Sequence, residues 1–386
     1  HDKYHLKDIK PLPRRKLTEK VPLLDCFTAP CEGGCPIQQD IPEYMELCRT
    51  GRYTEALTLI TEKNPLPFTT GTICAHRCQT KCTRNYYDES VHIRETKLVA
   101  AENGYDALMR SLKKPAPVTD GRKAAIIGGG PTGIAAAYFL GRAGIPVTVF
   151  EKSSRLGGVP MQVIPGFRIS EAAIEKDIAL MQFYGAEIRL NTPAPSVAEL
   201  NVAGYTHIFF AVGAGKAGRL NIPGNVVPVI QWLRDLKAGK KVSLGHVAVI
   251  GGGNTAMDAA RAAIRSGAAS ATLVYRRTKR YMPADAEELE LAMADGVRFL
   301  ELAQENGRLK CERMTLGAPD EKGRRSPLPT GELMEFDCDT VIAAVGEQVE
   351  GELFTANGIA VNDKDIPGFC TNLENVYVGG DAMRGP

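Results

Sequence analysis

Residues 123–152, KAAIIGGGPTGIAAAYFLGRAGIPVTVFEK, decide the fold of this chain. A short apolar run leads into glycines, a helix-like segment follows, and a second apolar run ends at Glu151, which is the order of a βαβ unit. Gly128 allows a tight turn, Gly130 lets a pyrophosphate approach the backbone, and Gly133 lets helix and strand pack closely. We therefore predict a dinucleotide site at the helix N-terminus, with Glu151 on the ribose hydroxyls; the alternative is a glycine turn in an ordinary α/β fold.

The same pattern recurs in residues 246–277, HVAVIGGGNTAMDAARAAIRSGAASATLVYRR. Two such units predict two Rossmann-like domains in an α/β chain. The apolar run THIFFAVGA ends the first repeat, and the similar run DTVIAAVGE ends the second. The chain is then expected to return to the first domain through NVYVGGD. This order predicts that the second domain is inserted in the first.

Basic residues replace the acid at the end of the second unit. Arg276 and Arg277 stand where Glu151 stands in the first copy, and Arg280 follows. Guanidinium groups bind a 2′-phosphate with charge-assisted hydrogen bonds, whereas a carboxylate repels it. The sequence therefore predicts a preference for NADP at this unit; the alternative is a solvated basic strand end.

Six of the ten cysteines form two triplets before residue 83. They are Cys26, Cys31, Cys35, Cys74, Cys78 and Cys82. Thiolates are the usual ligands of iron–sulfur clusters, whereas structural zinc favours C-x2-C pairs that are absent here. We predict iron–sulfur clusters, with zinc or unligated cysteines as alternatives. Cys48, Cys311, Cys338 and Cys370 are predicted to be small buried apolar residues, and no redox C-x-x-C pair occurs in the nucleotide domains.

Composition excludes several classes of protein. The 47 basic and 45 acidic residues give a formal charge of +2, which offers no reason to expect nucleic acid or an anionic membrane as partner. No run has the roughly 18 apolar residues of a membrane span. The crowded thiols favour a reducing compartment, and we expect the cytoplasm. Because the chain begins at His1 and stops at Pro386, after a motif expected to lead into a helix, we expect a longer polypeptide.

The domain organisation follows from these blocks. Residues 1–118 are predicted as an all-α, cysteine-rich iron–sulfur domain, with two short helices in 41–64, broken at Gly51, and one in 92–112. Residues 119–222 plus 347–386 are predicted as the FAD-binding domain. Residues 223–346 are predicted as the NAD(P)H-binding domain inserted in it.

These motifs resemble a known family. From PLLDCFTAPCEGGCPIQQDIPEY through TGTICAHRCQTKCTRN to VYVGGDAMRGP, the chain is similar to the glutamate synthase small subunit and the N-terminal half of dihydropyrimidine dehydrogenase, and it resembles most the selenate reductase FAD-binding subunits. The resemblance implies a helical domain with two 4Fe–4S clusters and an FAD domain interrupted by an NADPH domain.

The resemblance also implies the cofactor contacts. The FAD site should comprise Gly128, Gly130, Pro131, Thr132, Gly133, Glu151, Lys152, Leu156, Gly158, Arg168, Ala211, Gly380 and Asp381. The NADPH site should comprise Gly251, Gly253, Asn254, Thr255, Ala256, Arg276, Arg277, Ala344, Val345 and Gly346.

The chain departs from the family at two cluster positions. Leu23 stands where relatives have a further cysteine, and HIRETK offers Glu95 or Lys97 where dihydropyrimidine dehydrogenase has an amide ligand. The fourth ligand of each cluster therefore stays open.

The resemblance implies that hydride passes from NADPH to FAD and that single electrons then pass through the clusters to an acceptor on another domain or subunit. No catalytic acid or base is expected, because hydride transfer depends mainly on the positioning of the two rings. One alternative is a self-contained NAD(P)H flavin reductase with a structural zinc domain. The other is a redox-sensing or assembly subunit without turnover.

Overall fold

The computed structural model describes residues 28–222, 224–242, 244–301, 303–305, 310–320, 325–335, 338–362 and 367–385. The chain divides into two compact units between Lys113 and Lys114. This division lies in the proline-containing linker, slightly before the predicted boundary at residue 118. Each unit is described by itself.

The described part of the first unit is helical. Its helices are α1 (Pro30–Gly33), α2 (Ile41–Arg49), α3 (Tyr53–Lys63), α4 (Pro67–Ile73), α5 (Arg77–Thr80) and α6 (Ile93–Ser111), with a 3-10 turn at Thr83–Tyr86. The three predicted helices correspond to α2, α3 and α6, so this prediction is confirmed. The break between α2 and α3 falls at Gly51, whose φ of 75° favours glycine.

Apolar side chains at helical spacing pack α2, α3 and α6 together. Tyr44, Ala56, Ile60, Ile93 and Ala100 lie in one buried cluster. At Gly104 of α6 a Cβ atom would lie 2.6 Å from the carbonyl oxygen of Tyr53, so glycine is needed for the close approach of α6 to α3.

The second unit contains two parallel sheets, of which the first holds the first glycine-rich turn. Its strands are β1 (Ala124–Ile127), β2 (Val147–Phe150), β3 (Glu187–Arg189), β4 (His207–Phe210) and β15 (Val376–Val378). Their order is β15-β4-β1-β2-β3. Strand β15 thus pairs in parallel with β4 and belongs to the first sheet, although it is far from β4 in sequence.

The second parallel sheet repeats this arrangement. It contains β6 (Val226–Pro228), β7 (His246–Ile250), β8 (Ser270–Tyr275), β9 (Arg298–Glu301) and β13 (Thr340–Ala343), in the order β6-β13-β7-β8-β9. In this sheet β7, β8 and β9 correspond to β1, β2 and β3. The predicted α/β class with two Rossmann-like units is confirmed, while the exact limits of the FAD and NAD(P)H domains stay a prediction.

Helices cover the sheets of the second unit. Those associated with the first sheet are α7 (Pro131–Arg142), α8 (Gly158–Gln162), α9 (Glu171–Gln182), α10 (Val197–Val202), α14 (Gly351–Ala356) and α15 (Asp381–Arg384). Those of the second sheet are α11 (Val229–Lys237), α12 (Asn254–Arg265) and α13 (Ala286–Ala294). Among the described residues, none of the helices has the length and apolarity that crossing a membrane requires.

Two further sheets were not predicted from the sequence. An antiparallel sheet of β10 (Ala303–Glu305), β11 (Lys310–Pro319) and β12 (Arg325–Glu335) lies between β9 and β13 in sequence. A short antiparallel pair joins β5 (Lys216–Ala217) to β14 (Glu347–Gln348). Because β5 follows β4 and β14 follows β13, this pair ties together the two segments that connect the parallel sheets.

Candidate cofactor sites

The first glycine-rich turn has the geometry of an anion site. Gly128 has a φ of 107°, and a Cβ atom there would lie 2.5 Å from the carbonyl oxygen of Ala211. A Cβ atom on Gly133 would collide with the carbonyl oxygen of Gly128. A Cβ atom on Gly130, in contrast, would have no neighbour closer than the Cα of Gly158, at 3.7 Å. The turn therefore leaves an open stretch of backbone at the start of α7, where a pyrophosphate fits.

Glu151 is bonded to this turn. Its side chain is 6% exposed, and its Oε2 accepts a hydrogen bond from the backbone nitrogen of Gly129 at 2.7 Å. Its Oε1 accepts another from the backbone nitrogen of Ser153, also at 2.7 Å. Since each carboxylate oxygen has more than one lone pair, Glu151 retains acceptor capacity for ribose hydroxyls. Of the neighbouring predicted contacts, Leu156 is buried beside Gly129 and Lys152 is exposed.

The end of the chain closes the other side of this site. Gly380 has a φ of 69° and lies so close to Thr132 that a Cβ atom would meet the threonine hydroxyl. Asp381 is the first residue of α15, which therefore starts beside the start of α7. The structure thus brings together the first glycine turn, Ala211, Gly380 and Asp381.

Glu347 is a nearby carboxylate that the sequence reasoning missed. Burial raises the pKa of Glu347, and the charge of Asp381 raises it further. The only sequence signal was the glutamate that ends DTVIAAVGE, which looked like a strand end.

Arg168 lies among residues of the second parallel sheet's helices. Its guanidinium donates to Oδ1 of Asp258 in α12 at 3.1 Å and forms an ion pair with Glu288 in α13. All three side chains are at most 13% exposed. The carry-over from the resemblance had placed Arg168 at the FAD, and no described contact of Arg168 is with the glycine turn.

The second glycine-rich turn repeats the first. Gly251 has a φ of 153°, and a Cβ atom there would collide with Ala344, whose backbone nitrogen donates to Ile250 at 2.8 Å. Gly253 has no atom within 4 Å of a Cβ position and precedes α12. Asn254 exchanges hydrogen bonds with Asp285, as its Nδ2 donates to the carboxylate at 3.3 Å and its Oδ1 accepts from the backbone at 3.0 Å.

The remaining predicted contacts of this site surround the turn. Ala256 is buried in α12 and Thr255 is half-buried, while Val345 and Gly346 are exposed at the end of β13. Gly346 has a φ of 102°, and its carbonyl oxygen accepts from Gly218 at 2.8 Å. The predicted residues therefore converge on the C-terminal edge of the second sheet.

The arginines at the end of β8 differ in their contacts. The Nε of Arg277 donates to the carbonyl oxygen of Arg325 in β12 at 3.2 Å. Arg276 is exposed and has no hydrogen bond or ion pair within the part of the chain that the structure describes. Arg276 is thus the more available cation for a 2′-phosphate.

The electrostatic neighbours of the cysteines in the first unit do not follow the sequence triplets. Burial raises the pKa of the Cys78 thiol to about 11, with further contributions from Cys74 and Cys35. Burial also raises the pKa of Cys31, and the nearby thiol that adds to it is Cys82. Cys35 and Cys74 are thus the thiols that act on Cys78, and Cys82 is the thiol that acts on Cys31, while Cys31 and Cys35 both pack against the buried cluster that contains Cys78. The predicted ligand Cys26 and the substituted position Leu23 lie outside the described residues.

Lys97 and Glu95 face different neighbours. Lys97 is 7% exposed; burial lowers its pKa, and the opposing charges are those of Cys74, Cys78 and Cys35. Glu95 Oε1 accepts a hydrogen bond from Arg94 at 3.0 Å, and Oε2 is buried without a hydrogen-bond partner in the described chain. Burial works to raise the pKa of Glu95, but its own backbone and Arg94 outweigh burial and lower it. Lys97 is therefore the residue that faces the three thiols.

The donor set bears on the choice between a single ion and a cluster. In the described ranges, no three His, Cys, Asp or Glu side chains converge as ligands of one metal ion. The potential donors of the first unit are mainly thiols, and thiolates are the usual ligands of iron–sulfur clusters.

The scattered cysteines were predicted to be small buried residues. Cys48 and Cys311 are buried, at 8% and 2% exposure, which confirms this prediction for both. Cys338 is half-buried, and its thiol donates to the carbonyl oxygen of Thr340 at 3.1 Å. The prediction is wrong for Cys370, which is exposed because it lies in an irregular segment alongside β15, at the edge of the first sheet.

Comparisons with known proteins agree with these sites. Residues 122–386 match the family described as pyridine nucleotide-disulphide oxidoreductase. The chain belongs to this family. Residues 14–107 match the model described as dihydropyrimidine dehydrogenase domain II, 4Fe-4S cluster. The resemblance to dihydropyrimidine dehydrogenase and the prediction of an oxidoreductase with an iron–sulfur domain are thereby confirmed, as are the predicted cofactor classes FAD, NADPH and 4Fe–4S.

Individual relatives extend the comparison. YgfK of Escherichia coli (strain K12) is 42% identical over 99% of this chain and 39% of its own length. The NADPH-Fe(3+) oxidoreductase subunit beta of Geobacter sulfurreducens is 34% identical over 94% of this chain and 61% of its own length. The chain thus spans less than two thirds of these relatives. It covers 84% of the glutamate synthase [NADPH] small chain of Halomonas elongata at 31% identity over 94% of this chain, which confirms the predicted resemblance to that subunit.

A solved structure supports the fold. Mycobacterium tuberculosis FprA in complex with NADPH aligns over 69% of this chain and 80% of its own, with a TM-score of 0.58 and 21% identity. The likeness concerns the arrangement of the two Rossmann-like units.

Proposed function

We propose that this chain is the electron-input module of a larger redox assembly, which oxidises NADPH and passes the electrons to an acceptor outside the chain. The observation that carries the proposal is the combination of two open glycine turns in one compact unit with grouped thiols in the other. When bound, FAD accepts a hydride from NADPH and returns single electrons to 4Fe–4S clusters.

The residues of the chain bind and orient these groups. The open backbone at Gly130 receives the pyrophosphate of FAD at the start of α7, and Glu151 holds the ribose. Gly253 presents the equivalent opening to NADPH, and Arg276 binds the 2′-phosphate as an exposed guanidinium. Asp381 supplies an acceptor for a flavin side-chain hydroxyl at the start of α15. No acidic or basic side chain is needed, because hydride transfer depends mainly on how the nicotinamide and flavin rings are positioned.

The grouping of the thiols supports a ligand assignment. We assign Cys35, Cys74 and Cys78 to one cluster and Cys31 and Cys82, together with Cys26, to the other. The charges of the first group act on Lys97, so we propose that Lys97 stands at the position of the amide ligand of dihydropyrimidine dehydrogenase. Glu95, which bonds to Arg94, is the weaker candidate for a fourth ligand.

The acceptor belongs to another domain or subunit in this proposal. Support comes from relatives whose names describe them as subunits, such as the NADPH-Fe(3+) oxidoreductase subunit beta and the glutamate synthase small chain. A cytoplasmic location is proposed as well, because unpaired cysteines that ligate metal persist in reducing compartments.

Metal and cofactor analysis of the anaerobically purified chain tests the proposal together with turnover. About eight irons and eight labile sulfides per FAD are expected, as two cubane clusters require. NADPH should reduce ferricyanide faster than NADH does at equal concentration. Zinc in place of iron would favour the self-contained flavin reductase, and bound FAD with no NADPH oxidation would favour a non-catalytic assembly subunit.

A further inference from the structure

Lys97 is a buried cation of the first unit. Its side chain is 7% exposed, and it has no hydrogen bond or ion pair within the residues that the structure describes. After burial itself, the strongest influences on its pKa are the charges of three thiols and of Arg94, and Arg94 is itself paired with Glu95. Because a lysine is almost never fully buried without a partner, the ammonium group of Lys97 calls for an anionic group beside it.

Lys97 lies on the face of α6 that packs against the cysteines. Ile93 and Ala100, four positions before it and three after it, belong to the buried cluster that contains Cys78, and Cys35 packs against that cluster. Helical residues that are three and four positions apart share one face, so Lys97 lies on this face as well.

The third thiol comes from α4. Cys74 directly follows Ile73, the last residue of that helix. At Gly71 in α4 a Cβ atom would lie 3.0 Å from the Cα of Leu98, so the two helices approach closely one residue away from Lys97. Cys74 therefore ends a helix that is in close contact with α6, and its charge acts on Lys97.

The thiols assigned to the two clusters have neighbours of opposite charge. Burial raises the pKa of the Cys78 thiol, and Lys97 opposes this rise. Burial also raises the pKa of Cys31, but there the nearby charges of Cys82 and Glu32 raise it further. One cluster site therefore faces a cation, whereas the other faces a carboxylate.

A fixed cation beside a cluster changes the reduction potential of that cluster. One-electron reduction adds a negative charge to the cluster, and a nearby ammonium group favours the more negative state. A buried pair of charges is also screened less than a pair at the surface. The cluster beside Lys97 should therefore accept an electron at a higher potential than the cluster beside Glu32.

We propose that Lys97 raises the reduction potential of the cluster held by Cys35, Cys74 and Cys78, so that this cluster is reduced before the other one. The inference rests on the two-cluster assignment in the proposed function and adds a role for the charge of Lys97. In that scheme reduced FAD loses one electron and the cluster beside Lys97 gains it.

The test is a redox titration of the anaerobically purified full chain with dithionite and mediators, followed by electron paramagnetic resonance. The wild type should show two one-electron midpoints. In Lys97→Met the higher midpoint should fall and the other should not move. At a fixed potential the ratio of reduced to oxidised cluster should drop at least about tenfold, which corresponds to about 59 mV for a one-electron couple.

Two further variants separate the charge of Lys97 from its other properties. Lys97→Arg keeps the positive charge but offers no lone pair to iron, so it should keep the iron and a midpoint close to that of the wild type. Lys63→Met is the matched control, because Lys63 lies in α3 of the same unit and pairs with Asp40 at 3.0 Å. It should leave both midpoints unchanged.

Iron analysis of the same samples covers the case in which Lys97→Met fails to hold a cluster. Loss of about half the iron in Lys97→Met, with full iron in Lys97→Arg, would support the inference because the cluster then needs the cation. Loss of iron in both variants would overturn it, since Lys97 would then act by its shape or as a ligand.

Two other results would overturn the inference. One is full iron with wild-type midpoints in Lys97→Met, and the other is equal midpoints in Lys97→Met and Lys97→Arg. A wild-type chain without iron would instead refute the two-cluster part of the proposed function. Because dithionite supplies the electrons, failure of NADPH oxidation does not affect this test.

Discussion

The carboxylate of Glu151 holds the glycine turn through the backbone of Gly129, whose nitrogen donates to Oε2 at 2.7 Å. Ser153 donates to the other oxygen, so one buried side chain joins the turn after β1 to the segment after β2. Glu151, which the sequence predicts to accept hydrogen bonds from the ribose, therefore also holds the backbone of the site in place.

Glu151→Gln tests this double role. An amide offers only one acceptor oxygen to the two backbone donors, so one of them loses its partner at a cost of about 1–3 kcal/mol. We expect FAD to dissociate roughly tenfold or more readily, since about 1.4 kcal/mol corresponds to a factor of ten. Fluorescence titration of the FAD-free chain with FAD measures the effect. Glu187→Gln, on the exposed face of β3, is the control, and equal affinities of both variants would contradict the role.

Arg276→Ala tests the choice of nicotinamide cofactor. Loss of a charge-assisted contact to a 2′-phosphate costs about 1.5–3 kcal/mol, which is roughly a ten- to hundredfold rise in KM for NADPH. KM for NADH should not change. Steady-state kinetics with both cofactors measures this. Arg298→Ala is the control, because Arg298 is exposed at the opposite, N-terminal end of β9. A parallel rise in both KM values would mean that Arg276 does not recognise the phosphate.

Cysteine-to-alanine variants test the crossed grouping of the thiols. Cys35→Ala and Cys74→Ala should each lose about half of the iron, because each removes a ligand of the same cubane cluster. Their double variant should lose no more, whereas Cys31→Ala combined with Cys35→Ala should lose nearly all. Iron analysis and electron paramagnetic resonance of the reduced protein measure the result. Cys48→Ala should keep all the iron, since this thiol packs in the helical core. If Cys31 and Cys35 affect the same cluster, the grouping is wrong.

The network around Arg168 predicts a dependence of stability on pH. Burial raises the pKa of Asp258 to about 6, with Glu288 raising it further and Arg168 and Arg261 opposing. The usual value is about 3.9, so the unfolded chain loses this proton more readily than the folded one. The contribution of Asp258 to the free energy of unfolding is therefore complete below the pKa of the unfolded chain and is lost as pH rises through about 6. The expected loss of stability is on the order of 1 kcal/mol between about pH 5 and 7.5.

Thermal unfolding in this range measures the effect. Asp258→Asn should flatten the dependence, while Asp235→Asn should not, since hydrogen bonds to Gln231 and Lys240 lower the pKa of Asp235 and its titration falls below this range. Identical pH profiles for Asp258→Asn and the wild type would contradict the prediction.

Much of the fold could be predicted from local patterns. The glycine turns at Gly128 and Gly251, the alternation of apolar strands and helices, and the breaks at Gly51 and after residue 112 are all short-range signals. They predict the two Rossmann-like units and the helical first unit. The antiparallel strands β11 and β12 were missed because their polar, proline-containing residues lack a clear period of two.

The site depends in part on contacts that no local pattern contains. Cys31 and Cys35 are four positions apart, yet Cys31 has Cys82 as its electrostatic neighbour, whereas Cys35 acts on Cys78. Arg168 pairs with residues about a hundred positions away. The family resemblance assigned Arg168 to the FAD site. Its ion-pair partners in α12 and α13 become visible only in the packed structure.

Electrons from NADPH should reach iron–sulfur clusters within this chain. An anaerobic titration of the purified protein with NADPH, followed by visible absorbance and electron paramagnetic resonance, measures this transfer. We expect the flavin band and the broad iron–sulfur absorbance both to bleach, with uptake of more than the two electrons that one flavin holds. Bleaching of the flavin alone, while dithionite still bleaches the clusters, would contradict it.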